Sequence, residues 1–377
     1  MNIVKSTRQY ERWLRAQLKG DLVKVDLDKK HAKMAGDPFQ FLRATYWRWA
    51  ETIFKVCPDL KGAPQVLAVG DIHIENFGTW RDSEGRLVWG VNDYDEAAKM
   101  PYALDLVRLA TSAVLAKVPG ITPAVICSSI LKGYREGIED PKPFVLDRKH
   151  KWLRDIVIVS DDDRKHFWKK FDPKKGREKK PKHKIRPRYV AALESARPDP
   201  AIVFAYAPRT AGTGSLGRPR WFGTGEWHGD KIVREAKAML RSAWTLARNG
   251  SRRLRCEEIA TGKHRCPDPW YHLKGRVLVR RLSPNDYKIE AKPKIKSEAE
   301  YNSVKPSELV NGQMLRAMGR DLASIHRATP DRRAIINADL DRRGPGWLLA
   351  SVRVAAQSVR TEWTEWAAHQ NGTQKAA

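Results

Sequence analysis

The sequence predicts an α+β fold in which helical patterns open and close the chain and strand patterns fill the part between. Three observations carry this. Helix-period apolar stripes occupy much of residues 38–138, apolar runs broken by glycine occupy 202–233, and two further helix-period segments follow residue 307.

In chain order, residues 38–56 read as one helix, with Asp37 as N-cap and Pro38 at the first helical position. Residues 65–69, QVLAV, fit a short buried strand. A polar loop follows, and then RLVWGVN, after the turn signal DSEG, reads as part of a hairpin. Helices are expected at 103–117 and 123–138. Residues 161–188 are dense in Lys and Arg and broken by Pro and Gly, as in a loop or linker. Strand character then appears in IVFAYAP, RPRWFGTGEW and KIV, with helical pattern resuming over 234–248. RVLVRRL at 276–282 reads as another strand, closed by a turn at SPND. Helices near 307–328 and 346–368 end the chain.

Composition narrows the function classes. In 377 residues, 71 Lys and Arg against 44 Asp and Glu give a net charge of +27. Such a surplus favours anionic partners: nucleotides, nucleic acid, phosphorylated substrates or membrane surfaces. No stretch approaches the ~20 apolar residues that span a bilayer. The opening MNIVKSTRQYERW has no apolar secretory core, so a soluble, cytoplasmic protein is expected. Cys57, Cys127, Cys256 and Cys266 are far apart and lack metal-ligand spacing, which predicts free thiols.

The sharpest signal is LAVGDIHIENFG at 67–78. An apolar strand ends, and Asp71, His73 and Asn76 follow on a short loop. Asp71 and Asn76 stand five residues apart, the interval between the base and the metal-binding Asn of the kinase catalytic loop. An Asp there accepts a proton from an attacking hydroxyl, and the Asn turns back to place its amide oxygen on Mg²⁺. Asp93 follows Asn76 by 17 residues at a strand end, in VNDYDEA. A second carboxylate on a neighbouring strand suits Mg²⁺, which prefers carboxylate and phosphate oxygens. Tyr94 can anchor this segment. Asp95 stands where the kinase metal-binding motif has Gly. Asp105 opens the next helix, where it can cap that helix or brace the loop. His73 reads as a structural residue that holds the loop by hydrogen bonds.

Residues 212–217, GTGSLG, match G-x-G-x-x-G. A dinucleotide fold would need a helix next, but Arg218-Pro219-Arg220-Trp221-Phe222 is good hairpin and poor helix. The pattern therefore favours a kinase-type loop, with Gly212, Gly214, Ser215 and Gly217 letting backbone N–H groups reach phosphates. A phosphate-binding cation should lie on the following strand, in KIVREAK. Arg234 sits at the expected strand end, whereas Lys237 falls where helical pattern resumes. Both remain candidates, and Glu257 or Glu258 is the candidate partner.

VLAVGDIHIENFGTW…LVWGVNDYDEAAKMPYALDLVRLATS resembles the catalytic segment of the aminoglycoside and choline phosphotransferases. A closer resemblance, running from about residue 35 to 330, is to a bacterial family catalogued as domain of unknown function 2252. That resemblance also takes in DPFQFLRA, AGTGSLG, VREAKAM, VRRLSPNDYKIE and MGRDLASIHRA. It implies a protein-kinase-like two-lobed fold in circularly permuted order, since the Gly-rich loop follows the catalytic Asp by about 140 residues. Surface termini close together permit such an order. The implied layout is a helical catalytic-lobe segment at 1–160 and a basic linker at 161–190. A β-rich nucleotide-binding lobe follows at 191–290, and the helices of 291–377 pack back on the first segment. Asp71 becomes the base, Asn76 and Asp93 the Mg²⁺ ligands and Asp105 the loop brace. ATP and Mg²⁺ are the implied cofactors.

The expected activity is an ATP-dependent phosphotransferase, its acceptor a small molecule or a protein that the sequence does not identify. Two alternatives stand beside it. One is a catalytically inactive kinase-like binding module. The other, less favoured, is a nucleic-acid-binding protein using residues 164–188, which would bind with steep salt dependence.

Overall fold

The structure is a computed structural model and describes residues 1–172, 184–290, 310–328 and 331–375. It is mixed α+β, as expected. Part of the basic run at 161–188 lies outside the described residues, as does the start of the helix expected from 307.

The chain opens with four helices, α1 (Ile3–Leu18), α2 (Lys24–Gly36), α3 (Pro38–Ala44) and α4 (Tyr46–Val56). The single helix expected at 38–56 is thus two. Asp37 does cap the first, its side chain accepting from the Gln40 N–H at 2.9 Å. The break comes at Thr45, whose φ and ψ of −121° and 38° are not helical. Its hydroxyl instead donates to the Phe41 carbonyl at 2.7 Å, a local bond that competes with the helix ladder.

Next come β1 (Gln65–Ala68), the hairpin β2 (Phe77–Arg81) and β3 (Leu87–Val91), and β4 (Ala98–Pro101), which pairs back with β1. Helices α5 (Tyr102–Ala116) and α6 (Pro123–Glu139) follow at the expected places, then the short β5 (Phe144–Val145) beside β3. α7 (Lys151–Ile156) leads to the basic run, whose two ends are helical rather than the loop expected: α8 (Asp161–Lys170), capped by the Ser160 hydroxyl accepting from the Asp163 N–H at 3.1 Å, opens it, and α9 (Pro187–Glu194) begins at its end.

A five-stranded antiparallel sheet is built from β6 (Ala205–Pro208), β7 (Arg220–Trp227), β8 (Asp230–Ala238), β9 (His272–Lys274) and β10 (Val277–Leu282), in the order β6-β7-β8-β10-β9. The helix expected to resume at 234 does not: β8 runs to Ala238, and only α10 (Ala243–Ala247) and α11 (Cys256–Ala260) are helical before β9. Register explains this override of propensity. Arg220, Phe222 and Thr224 of β7 face Lys237, Glu235 and Val233 of β8, and Glu235 and Lys237 face Arg280 and Leu278 of β10. Ladder bonds on both sides hold this stretch extended.

Helices α12 (Gly312–His326), α13 (Arg333–Arg342) and α14 (Trp347–Lys375) complete the chain. α12 packs along α6, and α14 packs against α5 and α2. The α6–α12 crossing is backbone-close. A methyl group at Gly133 would overlap the Arg316 carbonyl, and one at Gly319 would overlap the Ile130 carbonyl.

The largest hydrophobic cluster joins α3–α6, the first hairpin, α12 and α14. A second lies on one face of the five-stranded sheet against α9. Leu14, Leu18 and Leu27 of α1 and α2 belong to this second cluster. The first two helices therefore pack with the sheet as well as with the helical side. All four cysteines are free thiols. Among the described residues, no helix is long and apolar enough to cross a membrane.

Gly133→Ala should destabilise the fold by about 1–3 kcal/mol, because overpacking a fixed backbone contact forces the helices apart. Urea unfolding monitored by tryptophan fluorescence checks this, and an unchanged midpoint would refute the close crossing.

Candidate functional site

The segment from Val69 to Asn76 leaves β1 and ends in a single 3₁₀ turn at Ile74–Asn76. Buried Asp105, in the first turn of α5, accepts from the Val69 N–H at 2.7 Å and the Gly70 N–H at 3.0 Å. His326 Nε2 lies 3.2 Å from the same carboxylate, and the Tyr134 hydroxyl lies 2.8 Å from His326 Nδ1. Asp105 is thus the loop brace, itself fixed from α12 and α6. Ser112 adds a bond from the Ile74 N–H at 3.0 Å.

The loop presents Asp71, His73, Glu75 and Asn76 to one cleft. Asp71 is paired with the guanidinium of Arg108, a fully buried residue of α5. Arg108 also donates to the Leu42 carbonyl at 2.9 Å and lies 4.9 Å from the Tyr46 ring centre. Burial pushes the Asp71 carboxyl up to about 7; Arg108 opposes this, while Glu96 and Asp93 add to it. His73 is buried within the loop. Burial holds its ring well below the usual histidine range, and its Nδ1 accepts from the Glu75 N–H at 3.2 Å. The amide oxygen of Asn76 is buried with no hydrogen-bond partner. An orphaned buried acceptor beside a cleft is an unmet demand for a ligand or cation.

β3 delivers Asp93 and Asp95 to the same cleft. Their segment is pinned from α12. The Val91 N–H donates to Asp321 at 2.8 Å, and Arg265 joins Asp321, the Val91 carbonyl and the Tyr94 hydroxyl at 2.7, 2.7 and 2.6 Å. Tyr94 is thereby tied to Arg265 and, through its hydroxyl, to the Val91 carbonyl. Lys237, on β8, reaches Asp93 at 3.3 Å and also pairs with Asp95. Burial raises the Asp93 carboxyl, but Lys237 and Arg280 outweigh it and hold Asp93 well below the usual carboxylate range. Asp95 moves up, through burial and then the charge of Asp93.

The glycine loop joins β6 to β7, and Gly212, Thr213, Gly214 and Ser215 line this cleft too. A Cβ on Gly214 would stand 3.1 Å from Asp71 Oδ2 and 3.1 Å from the Arg43 carbonyl, so only glycine gives the loop this approach without crowding. Helix α2 grips the loop from outside. Lys30 donates to the Gly214 carbonyl at 2.7 Å, and the Val23 N–H to the Gly217 carbonyl at 3.0 Å. Gly217 has a φ of +92°, with Leu27 packed where a side chain would stand. Ser215 accepts from Arg220 at 2.8 Å. Arg209, Arg220 and Arg280 surround the fully buried Glu235, the last two at 2.8 and 2.7 Å. Burial opposes ionisation of Glu235, but these guanidinium groups hold its carboxyl well below the usual range.

The cleft encloses about 1090 Å³ of empty space, counting its open mouth. Asp71, Asn76, Asp93, Asp95 and the Gly212–Ser215 turn meet there, with Lys237 bonded to the two aspartates. Arg234 does not join them. Strand alternation turns it to the other sheet face, where it donates to the Ala196 carbonyl at 2.9 Å and lies 4.4 Å from the Trp270 ring centre. The carboxylates beside Lys237 are Asp93 and Asp95, whereas Glu258 pairs with Arg253 and Arg255. Among the described residues, no three His, Cys, Asp or Glu side chains form a self-sufficient metal set. Asn76 and Asp93 fit a cation that takes its other oxygens from a bound ligand, as Mg²⁺ commonly does.

Sequence reasoning missed the Arg108 partner of Asp71, the arginines around Glu235 and Lys30. Arg108 carried a signal: it is the one basic residue among the apolar positions of ALDLVRLA. The others have no local signal, because their roles arise from register and from a helix 184 residues away from the glycine it holds.

Residues 22–166 match the model of a family described as an uncharacterized protein conserved in bacteria (DUF2252), which supports a place in that family. No curated protein and no solved structure matches the chain.

The raised Asp71 pKa has a clear sign. The folded state holds this proton more tightly than the unfolded chain, so its contribution to stability is fully present below about 4 and is lost as pH rises through about 7. The carboxyl carbon resonance of Asp71 should therefore titrate near 7. Arg108→Met should move that midpoint higher, since the guanidinium is the main group lowering it. A midpoint near 4 in the wild type would refute this.

Proposed function

We propose that the cleft binds Mg·ATP and transfers a phosphoryl group, in a protein-kinase-like fold whose lobes follow one another in circularly permuted order. One observation carries the reading. The glycine loop and the Asp71–Asn76 loop, about 140 residues apart in sequence, face each other across a single cleft, with Gly214 against Asp71. The surrounding parts support it. Protein kinases place a Gly-rich loop over the phosphates, a lysine on the third strand of the same sheet, and an Asn and an Asp on the metal. Here the loop lies between β6 and β7, Lys237 lies on the next strand β8, and Asn76 and Asp93 face the loop.

Each residue then has a role. Backbone N–H groups of Gly212–Ser215 and the guanidinium groups of Arg209, Arg220 and Arg280 hold the triphosphate. Mg²⁺, held by the Asn76 amide oxygen and Asp93, would neutralise phosphate charge. Lys237 orients Asp93. Asp71 accepts the proton of the acceptor hydroxyl as that oxygen bonds to the γ-phosphorus and the bond to the β-phosphate oxygen breaks, releasing ADP. A carboxyl poised near 7 suits a base working at neutral pH. Arg108 aims it and stabilises its charged form. The acceptor is a hydroxyl-bearing small molecule or protein.

A second reading has its own support. Lys237 bonds Asp93 and Asp95, and an ion pair of this kind can leave a binding module without turnover. Mutation separates the two.

Saturating Mg·ATP, at about 100 times Kd, should stabilise the wild type by about 2.7 kcal/mol in thermal unfolding. Asn76→Ala and Asp93→Ala should lose most of that gain. Asp71→Asn should still bind Mg·ATP, yet lose about 100- to 10,000-fold in phosphate transfer or ATP hydrolysis, the range expected for removing a general base. Wild-type turnover no higher than background, alike in Asp71→Asn, would leave only the binding module. No stabilisation of the wild type by millimolar Mg·ATP would end both readings.

A further inference from the structure

A second cavity of about 750 Å³, counting its open mouth, lies beside the cleft. Asn92, Arg280 and Lys288 line both. Its other walls are aromatic and acidic: Trp80 from β2, Tyr94, Tyr271 before β9, Tyr287 after β10, and the carboxylates Asp268 and Asp286. The backbone around it is fixed. Chain leaving β10 is stitched onto β2 through Thr79 N–H to the Tyr287 carbonyl at 2.8 Å, and Tyr287 N–H to the Thr79 hydroxyl at 2.7 Å.

The polar groups are unequally satisfied. Trp80 Nε1 donates to the Cys266 carbonyl at 2.6 Å, and Arg281 lies 3.4 Å from Asp268. Asp286 has neither a side-chain hydrogen bond nor an ion pair among the described residues. The Tyr271 hydroxyl is buried and unpartnered. A ring-lined pocket with an unpaired acceptor suits a flat heterocycle that carries N–H donors.

Position decides which ligand this is. Neither Asp71 nor the glycine loop lines this cavity, so an acceptor hydroxyl seated here would be away from its base. Arg280 and Lys288 line both spaces, so a triphosphate held by Arg280 in the cleft has this cavity next to it for its nucleoside. We propose that this cavity is the base subsite of the nucleotide, stacking an amino-bearing purine on its aromatic walls, with Asp286 accepting from the exocyclic amine. This rests on the Mg·ATP reading above and goes beyond it by naming where the base sits and which bases fit. Burial pushes the Asp286 carboxyl up to about 7, against the pull of Arg281, so the acceptor is strongest above neutral pH.

Calorimetric titration of the full chain in Mg²⁺ with ATP, with ITP, whose base lacks the amine, and with inorganic tripolyphosphate tests it. ATP should bind roughly tenfold more tightly than ITP, the scale of one hydrogen bond to a charged group. It should exceed tripolyphosphate by more, through stacking. Asp286→Asn, close in shape, should erase the ATP preference over ITP and leave tripolyphosphate binding unchanged. Tyr287→Leu should weaken both nucleotides but not tripolyphosphate. Equal binding of ATP and tripolyphosphate, or an ATP preference that survives Asp286→Asn, would overturn the base subsite while leaving the phosphate site intact. Failure of all three polyphosphates to bind the wild type would overturn the subsite and the phosphotransferase reading together.

Discussion

One buried carboxylate holds the candidate site in shape. Asp105 takes the backbone N–H groups of Val69 and Gly70, at the point where β1 gives way to the loop carrying Asp71 and Asn76. A loop there would otherwise leave two buried donors unmet, at a cost of about 1–3 kcal/mol each. The brace is held in turn by His326 from α12 and, through it, Tyr134 from α6. The same helix α12 supplies Asp321, which pins the end of β3 and so places Asp93. Two polar arms reaching from one late helix thus fix both acidic edges of the cleft.

The opposite wall rests on compensation between buried charges. Glu235 alone on the sheet would be costly to bury, and so would Arg209, Arg220 and Arg280. Glu235 offsets one of the three positive charges, and the three guanidinium groups line the cleft. Lys237 does the same for Asp93 and Asp95 across the gap. The result is a cleft with closely spaced charges of both signs. On the proposed reading, that pattern is what an anionic chain with a bound cation would meet.

Local chemistry made much of this legible in advance. The D-x-H-x-x-N loop, Asp93, Asp105 and the GTGSLG turn all stood out because each depends on residue types at short fixed spacing. Elements with strong periodicity, such as α5 and α6, fell where their patterns put them. Errors came where distant pairing overrides local pattern. Lys237 reads as helical by neighbours alone, and strand pairing to Arg220 and Leu278 makes it extended. Arg234 looked as good a candidate as Lys237 because sequence does not say which sheet face is the cleft. The continuous helix at 38–56 broke at Thr45, where a side-chain bond to the backbone outcompeted periodicity.

The sequence by itself determined the chemical alphabet of the site: an acid and an amide five residues apart, a later acid, and a flexible glycine turn. Those choices are local, set by which side chains can hold a proton or an oxygen-seeking ion and which residue tolerates backbone approach. Only the tertiary structure decided that the pieces belong together. Gly214 reaches Asp71, Lys30 holds Gly214, and Arg108 meets Asp71 through contacts between residues 37 to 184 positions apart. Such contacts are fixed by sheet register and helix packing, which sum over many weak interactions and leave no mark at any single position.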